Sequence, residues 1–441
     1  MKYSEYKPLT ELWLSSIPSH WSSRKLKYLF DERAEKGYPN EPLLVASQNM
    51  GVVPKNVYGS RTVEAMKDLH LLKLVKIGDF VISLRSFQGG IEYAYYQGII
   101  SPAYTIMIPR DQIIPGYFKY LAKSKLFIEL LQICVTGIRE GQNIDYNKLK
   151  NHQIPVPSRE EQDQIVRYLD WQVSKINKLI TAKKKKLLVM FEQIQLLLFS
   201  LNGQTTSIGS LASAFPGNWK MVRARRIFRE RNAKGFSNEE LLAVTQDRGV
   251  LFKKDCMQNY TKPAILSSQK LVLPDDFIIS LRSFQGGIEL STLRGLVSAA
   301  YSVFYINNKF TDYREYYSVL FKSRPFIMYL NSLVMDIRDG KKISYNDFCN
   351  CLLPLPPESV RLKLHNLYLQ YNCLRQDYEK TLSITKDLRN SLISDVVTGQ
   401  ADVRAIEIPD FEQVEETGTK ETYDDENLES EEAQDGQRKP L

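Results

Sequence analysis

The amino-acid sequence predicts an α+β protein in which two homologous α/β domains are separated by two long helices. Three observations lead to this fold class. One block of sequence occurs twice at a nearly constant separation of about 200 residues, much longer than a solenoid repeat, which indicates domain duplication. Each copy contains short β-rich segments, and each is followed by about 40 residues with the apolar spacing of a helix.

The repeat is clearest in the decapeptide SLRSFQGGIE, which occurs without change at Ser83–Glu92 and at Ser280–Glu289. The flanking sequences also correspond, because WSSRKLKYLFDERAEKG matches WKMVRARRIFRERNAKG and IREGQNIDYNKLKNHQIPVP matches IRDGKKISYNDFCNCLLPLP. The segments DFVISL, AYTIMI, DFIISL and AYSVFYI are predicted strands, and YFKYLAKSKLFIELLQ is a predicted helix. We therefore expect one fold in both copies.

The stretch after the first copy is predicted to form a helix from Ser158 to Leu201. Its apolar residues recur at alternating steps of three and four, with Lys183 in the place of one of them. A Pro-any-Pro passage disfavours helix upstream. Ser158 is the expected N-cap, and Glu161 is its expected capping-box partner.

A second stretch of this kind follows the second copy, from Val360 to Val396, and Gly399 suits a left-handed cap at its end. A helix of about 40 residues is about 60 Å long, too long to be buried singly in a small domain, so we expect the two helices to pair. The predicted divisions of the chain are residues 1–157, 158–203, 204–356, 357–404 and 405–441.

Charge is distributed unevenly along the chain, whose formal net charge is +8. Residues 407–441 contain 13 acidic and 3 basic residues, a net charge of −10, so that residues 1–406 carry +18. A body this basic favours a polyanionic partner such as nucleic acid. The acidic segment has few aromatic residues and is predicted to be a disordered tail.

Several classes of protein require residues that this sequence does not contain. It has no apolar run of about 18 residues, as a membrane span needs. Its five cysteines include no CxxC pair, and its four histidines show no metal-ligand or acid–base clustering. The GxGxxG and Walker A motifs are absent, as is the Asn/Asp-Pro-Pro-Tyr/Phe motif of methyltransferases. We expect a reduced, cytoplasmic protein.

Four passages, in their order along the chain, carry a resemblance to a known family. They are IPSHWSSRKLKYLF, SLRSFQGGIE with GIISPAYT, PVPSREEQDQIVRYLD at the start of the first helix, and RNSLISDVVTGQ at the end of the second. Together they resemble the specificity subunit of type I restriction-modification systems, over essentially Ile17–Arg404. One departure is PLPPESVRLKLHNLYL, which lacks the Glu-Gln pair found after the first Pro-any-Pro.

The resemblance implies a DNA-reading adaptor without catalysis of its own. Each α/β domain would be a target recognition domain for one half of a split double-stranded DNA target. The two helices, antiparallel as a coiled coil, would set the distance between the halves and dock two modification subunits. Those methyltransferase subunits would bring S-adenosylmethionine, and restriction subunits would bring ATP and Mg²⁺, so that this chain is expected to bind no cofactor or metal and no membrane.

Candidate DNA contacts come from residue types at matched positions of the two copies. Arginine is the usual bidentate partner of guanine and glutamine of adenine, while glycines allow the backbone to approach phosphate. A strand is predicted to deliver the decapeptide side chains into a turn made by its paired glycines. The candidates are Gln48, Arg85, Ser86, Gln88 and Arg139 in the first copy, and Gln246, Arg282, Ser283, Gln285, Arg338, Lys341 and Lys342 in the second.

Other interpretations remain open from sequence alone. The decapeptide is also compatible with phosphate contact, or with a structural strand-turn-strand in which Phe87 lies in the core and Arg85 pairs with Glu92 or with phosphate. The whole chain is also compatible with a stand-alone DNA- or RNA-binding protein without enzyme partners. An unrecognised nuclease would need a cluster of carboxylates for a divalent metal, and the sequence shows none.

Overall fold

The computed structural model describes residues 2–48, 50–58, 68–83, 86–137, 143–199, 215, 219–245, 249–256, 266–280, 288–332 and 345–414. The chain divides into two compact units. Met1–Ala182 and Lys380–Leu441 form the first unit, and Lys183–Glu379 forms the second. Each unit therefore contains one copy of the repeat and a part of each long helix. The five divisions expected from the sequence stay a prediction.

The first unit combines many short strands with short helices. Its strands are Tyr6–Pro8, Ser16–Pro18, Ser22–Lys25, Phe30–Arg33, Leu44–Ser47, Gly51–Pro54, Lys73–Val75, Phe80–Ile82, Glu92–Tyr93, Gly98–Ile100, Thr105–Pro109, Val135–Thr136, Asn143–Ile144 and Gln153–Val156. Its shorter α-helices are Lys55–Tyr58, Ser86–Gly89, Pro115–Leu121, Lys125–Ile133 and Tyr146–Leu149, with 3-10 turns at Leu26–Tyr28 and Leu69–Leu71.

Most described elements of the second unit have a counterpart in the first, in the same order. Its strands are Lys220–Arg223, Phe228–Arg231, Leu242–Thr245, Gly249–Phe252, Lys270–Val272, Asp276–Ser280, Glu289–Leu290, Gly295–Val297, Tyr301–Ile306 and Leu352–Leu355. Its shorter helices are Ala224–Ile227, Lys253–Cys256, Arg314–Leu320, Arg324–Ser332 and Tyr345–Asn350, with a 3-10 helix at Asn308–Tyr313. The four segments predicted as strands in the two copies are all strands.

A four-stranded antiparallel sheet lies at the centre of each copy. The strand order is Phe30–Arg33, Thr105–Pro109, Phe80–Ile82, Glu92–Tyr93 in the first unit and Phe228–Arg231, Tyr301–Ile306, Asp276–Ser280, Glu289–Leu290 in the second. The register also corresponds, because Ile106 lies opposite Val81 and Val303 opposite Ile278. The two copies therefore share one sheet topology, as the repeat predicts.

The segment YFKYLAKSKLFIELLQ forms two helices, where the sequence predicts one. The break lies at Ser124, whose hydroxyl donates to the Leu121 carbonyl at 2.7 Å and accepts from the Phe127 N–H at 3.4 Å. Serine side chains compete in this way with the helical backbone and favour caps over helix interiors. Ser323 holds the matching position in the second unit and accepts a backbone N–H in the same way.

The two long helices are Arg159–Phe199 and Glu358–Val397. The predicted N-cap is confirmed, because the Ser158 hydroxyl accepts from the Glu161 N–H at 3.3 Å. The predicted capping box is wrong in its second half: the Glu161 carboxylate accepts from the Tyr3 hydroxyl at 2.7 Å and contacts His20 Nε2 at 2.8 Å. The second helix ends before Gly399, whose φ is +76°, as predicted.

The long helices pair in opposite directions within each unit. In the first unit, Ile165 and Leu169 of the first helix share a buried core with Val396 of the second. In the second unit, Ile194 of the first helix shares a core with Leu364 of the second. Early residues of one helix thus pack with late residues of the other, which is the antiparallel arrangement implied by the resemblance.

The predicted apolar stripes agree with the helix faces only in part. Lys183, which interrupts the first stripe, donates to Asp377 Oδ2 at 2.6 Å in the second unit. Leu382 and Leu388 belong to the second predicted stripe, yet they are 39% and 57% exposed. An α-helix drifts by about 20° per heptad relative to a strict 3.5-residue repeat, so a long stripe leaves the contact face.

The segment that follows the second long helix docks onto the first one within the first unit. Gln164 Nε2 donates to the Val403 carbonyl at 3.0 Å. At the far end, Asn177 Nδ2 donates to the Val414 carbonyl at 2.8 Å, and the Val414 N–H donates to Ser174 Oγ at 3.1 Å. A disordered tail was predicted from residue 405 onward. These hydrogen bonds instead attach the chain to the first long helix as far as residue 414. Residues 415–441 lie outside the described residues.

Each unit has an arginine–aspartate pair at matched positions of its sheet; both residues are buried in the first unit, whereas Arg231 of the second is half-buried. Arg33 donates to both carboxylate oxygens of Asp79 at 2.8 and 3.1 Å, and Arg231 to those of Asp276 at 2.6 and 3.0 Å. In both pairs one carboxylate oxygen also accepts a backbone N–H from three residues earlier, at 2.8 Å. The pairs fasten the outer strand of each sheet to the beginning of an inner strand, which Asp79 precedes and Asp276 starts.

Replacing Arg33 with Met is expected to lower the free energy of unfolding of the first unit by about 3–5 kcal/mol, because Asp79 would remain buried without its partner. Arg110→Met is the matched control, since Arg110 pairs with Asp31 at the exposed surface of the same unit. That variant should leave the unfolding free energy nearly unchanged. Urea unfolding of both variants measures the difference, and equal losses would contradict the assignment.

Candidate nucleic-acid interface

The described part of the decapeptide in the first copy contains a short helix, a glycine bend and the start of a strand. It starts after the strand Phe80–Ile82, continues as the single helical turn Ser86–Gly89, and bends at Gly90, whose φ is +87°. The predicted turn made by paired glycines is thus a helical turn followed by one glycine in the left-handed region. A Cβ on Gly90 would lie 2.2 Å from the Ala122 carbonyl oxygen, so only glycine fits there.

The two described candidates within the decapeptide have different environments. Ser86 is buried, and its hydroxyl accepts from the Ser83 N–H at 2.8 Å and lies 3.2 Å from Ser83 Oγ. This geometry gives Ser86 a structural role at the start of the short helix. Gln88 is half-buried and makes no side-chain hydrogen bond to the described part of the chain.

Gln48, a candidate from a distant part of the sequence, lies against this short helix. It is exposed and follows the strand Leu44–Ser47. A Cβ on Gly89 would lie 2.6 Å from Gln48 Cδ, so the Gln48 side chain packs directly over Gly89. The fold thus brings the Gln48 side chain onto Gly89, the residue after Gln88, so that two residues of the type that binds adenine lie on contacting segments.

Lys123 fastens these segments together, and the sequence analysis did not single it out. Its Nζ donates to the Gln48 carbonyl at 3.2 Å, to the Gly89 carbonyl at 2.9 Å and to Glu92 Oε1 at 2.7 Å. A signal was present in the sequence, because AKS in the first copy and FKS in the second place a Lys-Ser pair at matched positions. Lys123 therefore belongs to the frame of the candidate interface.

Glu92, the last residue of the decapeptide, supplies the charge that balances Lys123. Its side chain is 1% exposed, and its Oε2 has no hydrogen-bond partner among the described residues. Burial raises the pKa of Glu92 to about 7, although Lys123 acts in the opposite direction. The described partner of Glu92 is Lys123, and the alternative that pairs Glu92 with Arg85 stays a prediction. Arg85 itself lies outside the described residues.

The second copy repeats the lysine–glutamate pair. Lys322 pairs with Glu289, and both occupy positions that match Lys123 and Glu92. The second long helix adds Arg375 here, because a Cβ on Gly249 would lie 3.4 Å from Arg375 Nη2 and 3.8 Å from Glu289 Oε2. The candidates Arg139, Gln246, Arg282, Ser283, Gln285, Arg338, Lys341 and Lys342 lie outside the described residues.

A tyrosine next to the first site was also missed by the sequence analysis. Tyr95 is 42% exposed and packs over Gly51, where a Cβ would lie 2.8 Å from Tyr95 Cε2. Lys119 Nζ lies 5.8 Å from the centre of the same ring. The second copy has Thr292 at the matching position, so a comparison of matched residues could not find it. This part of the surface differs between the copies.

The described ranges contain neither a cluster of metal-binding side chains nor a membrane-spanning helix. No three or more His, Cys, Asp or Glu side chains of these residues are grouped so that they could hold a metal ion. Among the helices described, none has the length and apolar content to cross a bilayer.

The chain is similar to known proteins along most of its length. Residues 18–189 match the family described as type I restriction modification DNA specificity domain. The chain is 22% identical over 435 residues to the type I restriction enzyme MjaIX specificity subunit of Methanocaldococcus jannaschii, which covers 89% of this chain and 96% of that protein. It is also 22% identical over 414 residues to the putative MjaX specificity subunit of that organism, covering 86% and 94%.

A solved structure from a type I restriction-modification system has a similar fold. A chain from the work "Structural basis underlying complex assembly and conformational transition of the type I R-M system" aligns with a TM-score of 0.51 at 15% identity. The alignment covers 87% of this chain and 99% of that one. The predicted fold class is confirmed, and both curated relatives are named specificity subunits, the kind of protein that the sequence resembles.

The stability of the first unit is expected to fall as the pH rises from about 5 to about 8. Between the ordinary pKa of glutamate, 4.5, and the folded-state pKa of Glu92, about 7, the unfolded chain loses a proton that the folded chain keeps. Ionisation therefore favours unfolding, by up to about 3 kcal/mol.

Glu92→Gln cannot ionise and should remove this part of the pH dependence. The measurement is the urea unfolding free energy of both proteins at about pH 5 and about pH 8. Parallel profiles for the two proteins would show that Glu92 does not titrate in this range.

Proposed function

We propose that the chain is a specificity subunit of a type I restriction-modification system, which reads a bipartite DNA target and docks methyltransferase subunits. The duplication is the observation that carries this proposal. Each unit has the same antiparallel sheet, and in each a decapeptide ends in a glutamate held by a lysine at a matched position. Two related readers in one chain suit a target with two related halves.

Affinity and specificity come from different residues in this proposal. The charge of +18 on residues 1–406 supplies sequence-independent attraction to phosphates. Specificity comes from side chains at base edges, of which Gln48 and Gln88 are the described candidates. The buried Ser86 is left out of this set, because its hydroxyl is bonded to Ser83. The candidates outside the described residues stay as predicted from the sequence.

Apolar residues on the surface of the long helices support the docking of partner subunits. Isolated exposed apolar residues are common, but repeated ones on a helix face mark an interaction surface. Val189 and Leu196, and also Leu362 and Leu369, share helix faces in the second unit; Ile384 and Leu388 do so in the first. Each unit thus has its own apolar surface, which suits two modification subunits.

The chemistry of the system belongs to the partners in this proposal. Methyltransferase subunits use S-adenosylmethionine to methylate adenine N6, and restriction subunits use ATP and Mg²⁺ for translocation and cleavage. This chain contributes the choice of sequence, in the cytoplasm. A stand-alone DNA- or RNA-binding protein is the alternative, and it gives the exposed apolar residues of the helices no role.

A genome-wide map of adenine methylation tests the proposed function. Cells that carry this gene and a neighbouring modification gene should show a bipartite motif, because both halves must be read for methylation. Deleting only this gene should abolish methylation at that motif. Unchanged methylation in an otherwise competent strain would contradict the adaptor function and favour the stand-alone binder.

Changing the apolar helix surface should weaken partner binding without affecting the fold. Leu362→Asn combined with Leu369→Asn is expected to lower affinity for the modification subunit about tenfold or more, since buried apolar anchors dominate interfaces. Lys363→Asn with Gln370→Asn is the matched control, because these neighbours are also exposed but point away from that face. Sedimentation titration measures both affinities, and equal effects would contradict a docking role for the leucines.

A further inference from the structure

We propose that Lys123 is a positioning residue for base reading: by holding the carbonyls of Gln48 and Gly89, it fixes where the Gln48 and Gln88 side chains meet DNA. The inference rests on the proposed function and goes beyond it, because it assigns specificity to a residue that does not itself touch a base. We extend the proposal to Lys322, which lies at the matched position of the second copy and pairs with Glu289.

The three N–H donors of the Lys123 ammonium have three acceptors from three segments. They are the end of the strand that leads to Gln48, the short helix of the decapeptide, and the strand that begins with Glu92. A lysine ammonium has three donors and no more. Every donor is therefore used inside the protein, and none is left to bind phosphate.

Two of these acceptors are backbone carbonyls of segments that carry reading candidates. A lysine that only neutralised Glu92 would need the carboxylate alone. Here the same ammonium bonds Gln48 and Gly89, so a shift of either segment breaks a hydrogen bond to a charged donor, which is worth more than a neutral one. Lys123 thus keeps the two glutamines at a fixed separation.

The backbone beside Lys123 also contacts the decapeptide. A Cβ on Gly90 would lie only 2.2 Å from the Ala122 carbonyl oxygen, so the two backbone segments are in close contact. The next residue, Ser124, caps the following helix and fixes the course of this turn. The turn at residues 122–124 is therefore a rigid support for the short helix, and recognition side chains need such support to keep their geometry within about 0.5 Å.

The ion pair with Lys123 explains why the last residue of the decapeptide, Glu92, is acidic. A buried carboxylate is costly unless it is paired, and the half-buried Lys123 provides the opposite charge while its other hydrogen bonds go to the two carbonyls. The pair of Lys322 with Glu289 shows the same solution in the second copy. Because each copy has its own lysine, the two units provide an internal control for each other.

The experiment uses the full chain in complex with its modification subunit, and maps methylation across a genome for a set of variants. Lys123→Met should relax one half-site only: methylation at sites with one changed base in that half should rise about tenfold or more. Lys322→Met, the matched control, should relax the other half-site and leave the first one strict.

Two further variants separate positioning from simple stability. Glu92→Gln keeps the bonds of Lys123 to both carbonyls and should keep most of the half-site specificity. Lys123→Met with Glu92→Met removes the unpaired buried carboxylate, so its melting temperature should return toward that of the wild type while the half-site stays relaxed.

The results that overturn the inference are distinct from those that overturn the proposed function. A Lys123→Met protein that reads its half-site as strictly as the wild type refutes the positioning role. A double variant that regains both stability and specificity also refutes it, because Lys123 would then act only as a counter-ion. A wild-type complex without any bipartite motif refutes the proposed function, and this inference with it.

Discussion

The candidate interface depends on one buried carboxylate that is paired with a lysine. Glu92 and Glu289 end identical decapeptides, and each is met by a lysine from the turn between two helices. An unpaired buried charge costs several kcal/mol, so the pair specifies one arrangement of decapeptide, turn and sheet. The candidate reading amides Gln48 and Gln88 are positioned by that arrangement, not by the local sequence around either one.

Local signals in the sequence were sufficient to predict the strands and the long helices. The geometry of the candidate interface depends on contacts between residues that are distant in sequence. Strands and long helices follow from apolar periodicity, and the cap at Ser158 follows from its side chain. Glu161 was misassigned because its partners, Tyr3 and His20, are distant in sequence and replace the local capping bond. Lys123 was missed for the same reason: a lysine gives no local sign that three remote acceptors surround it.

The two copies share the sheet and the ion pairs beside the candidate interface but differ in the residues at its edge. The decapeptides and both types of ion pair recur, while Tyr95, stacked over Gly51 in the first copy, is replaced by Thr292 in the second. In the second copy Arg375 from a long helix approaches the corresponding glycine. A common frame with different border residues fits two half-sites that are related in sequence without being identical.

A hydroxyl-radical footprint of the complex on DNA that contains its methylation motif tests the central claim most directly, namely that each unit reads one half of the target. Two protected segments, one at each half of the motif with a less protected stretch between them, are the predicted result. Protection of one half alone, or one uniform protected stretch that does not follow the motif, would contradict the account.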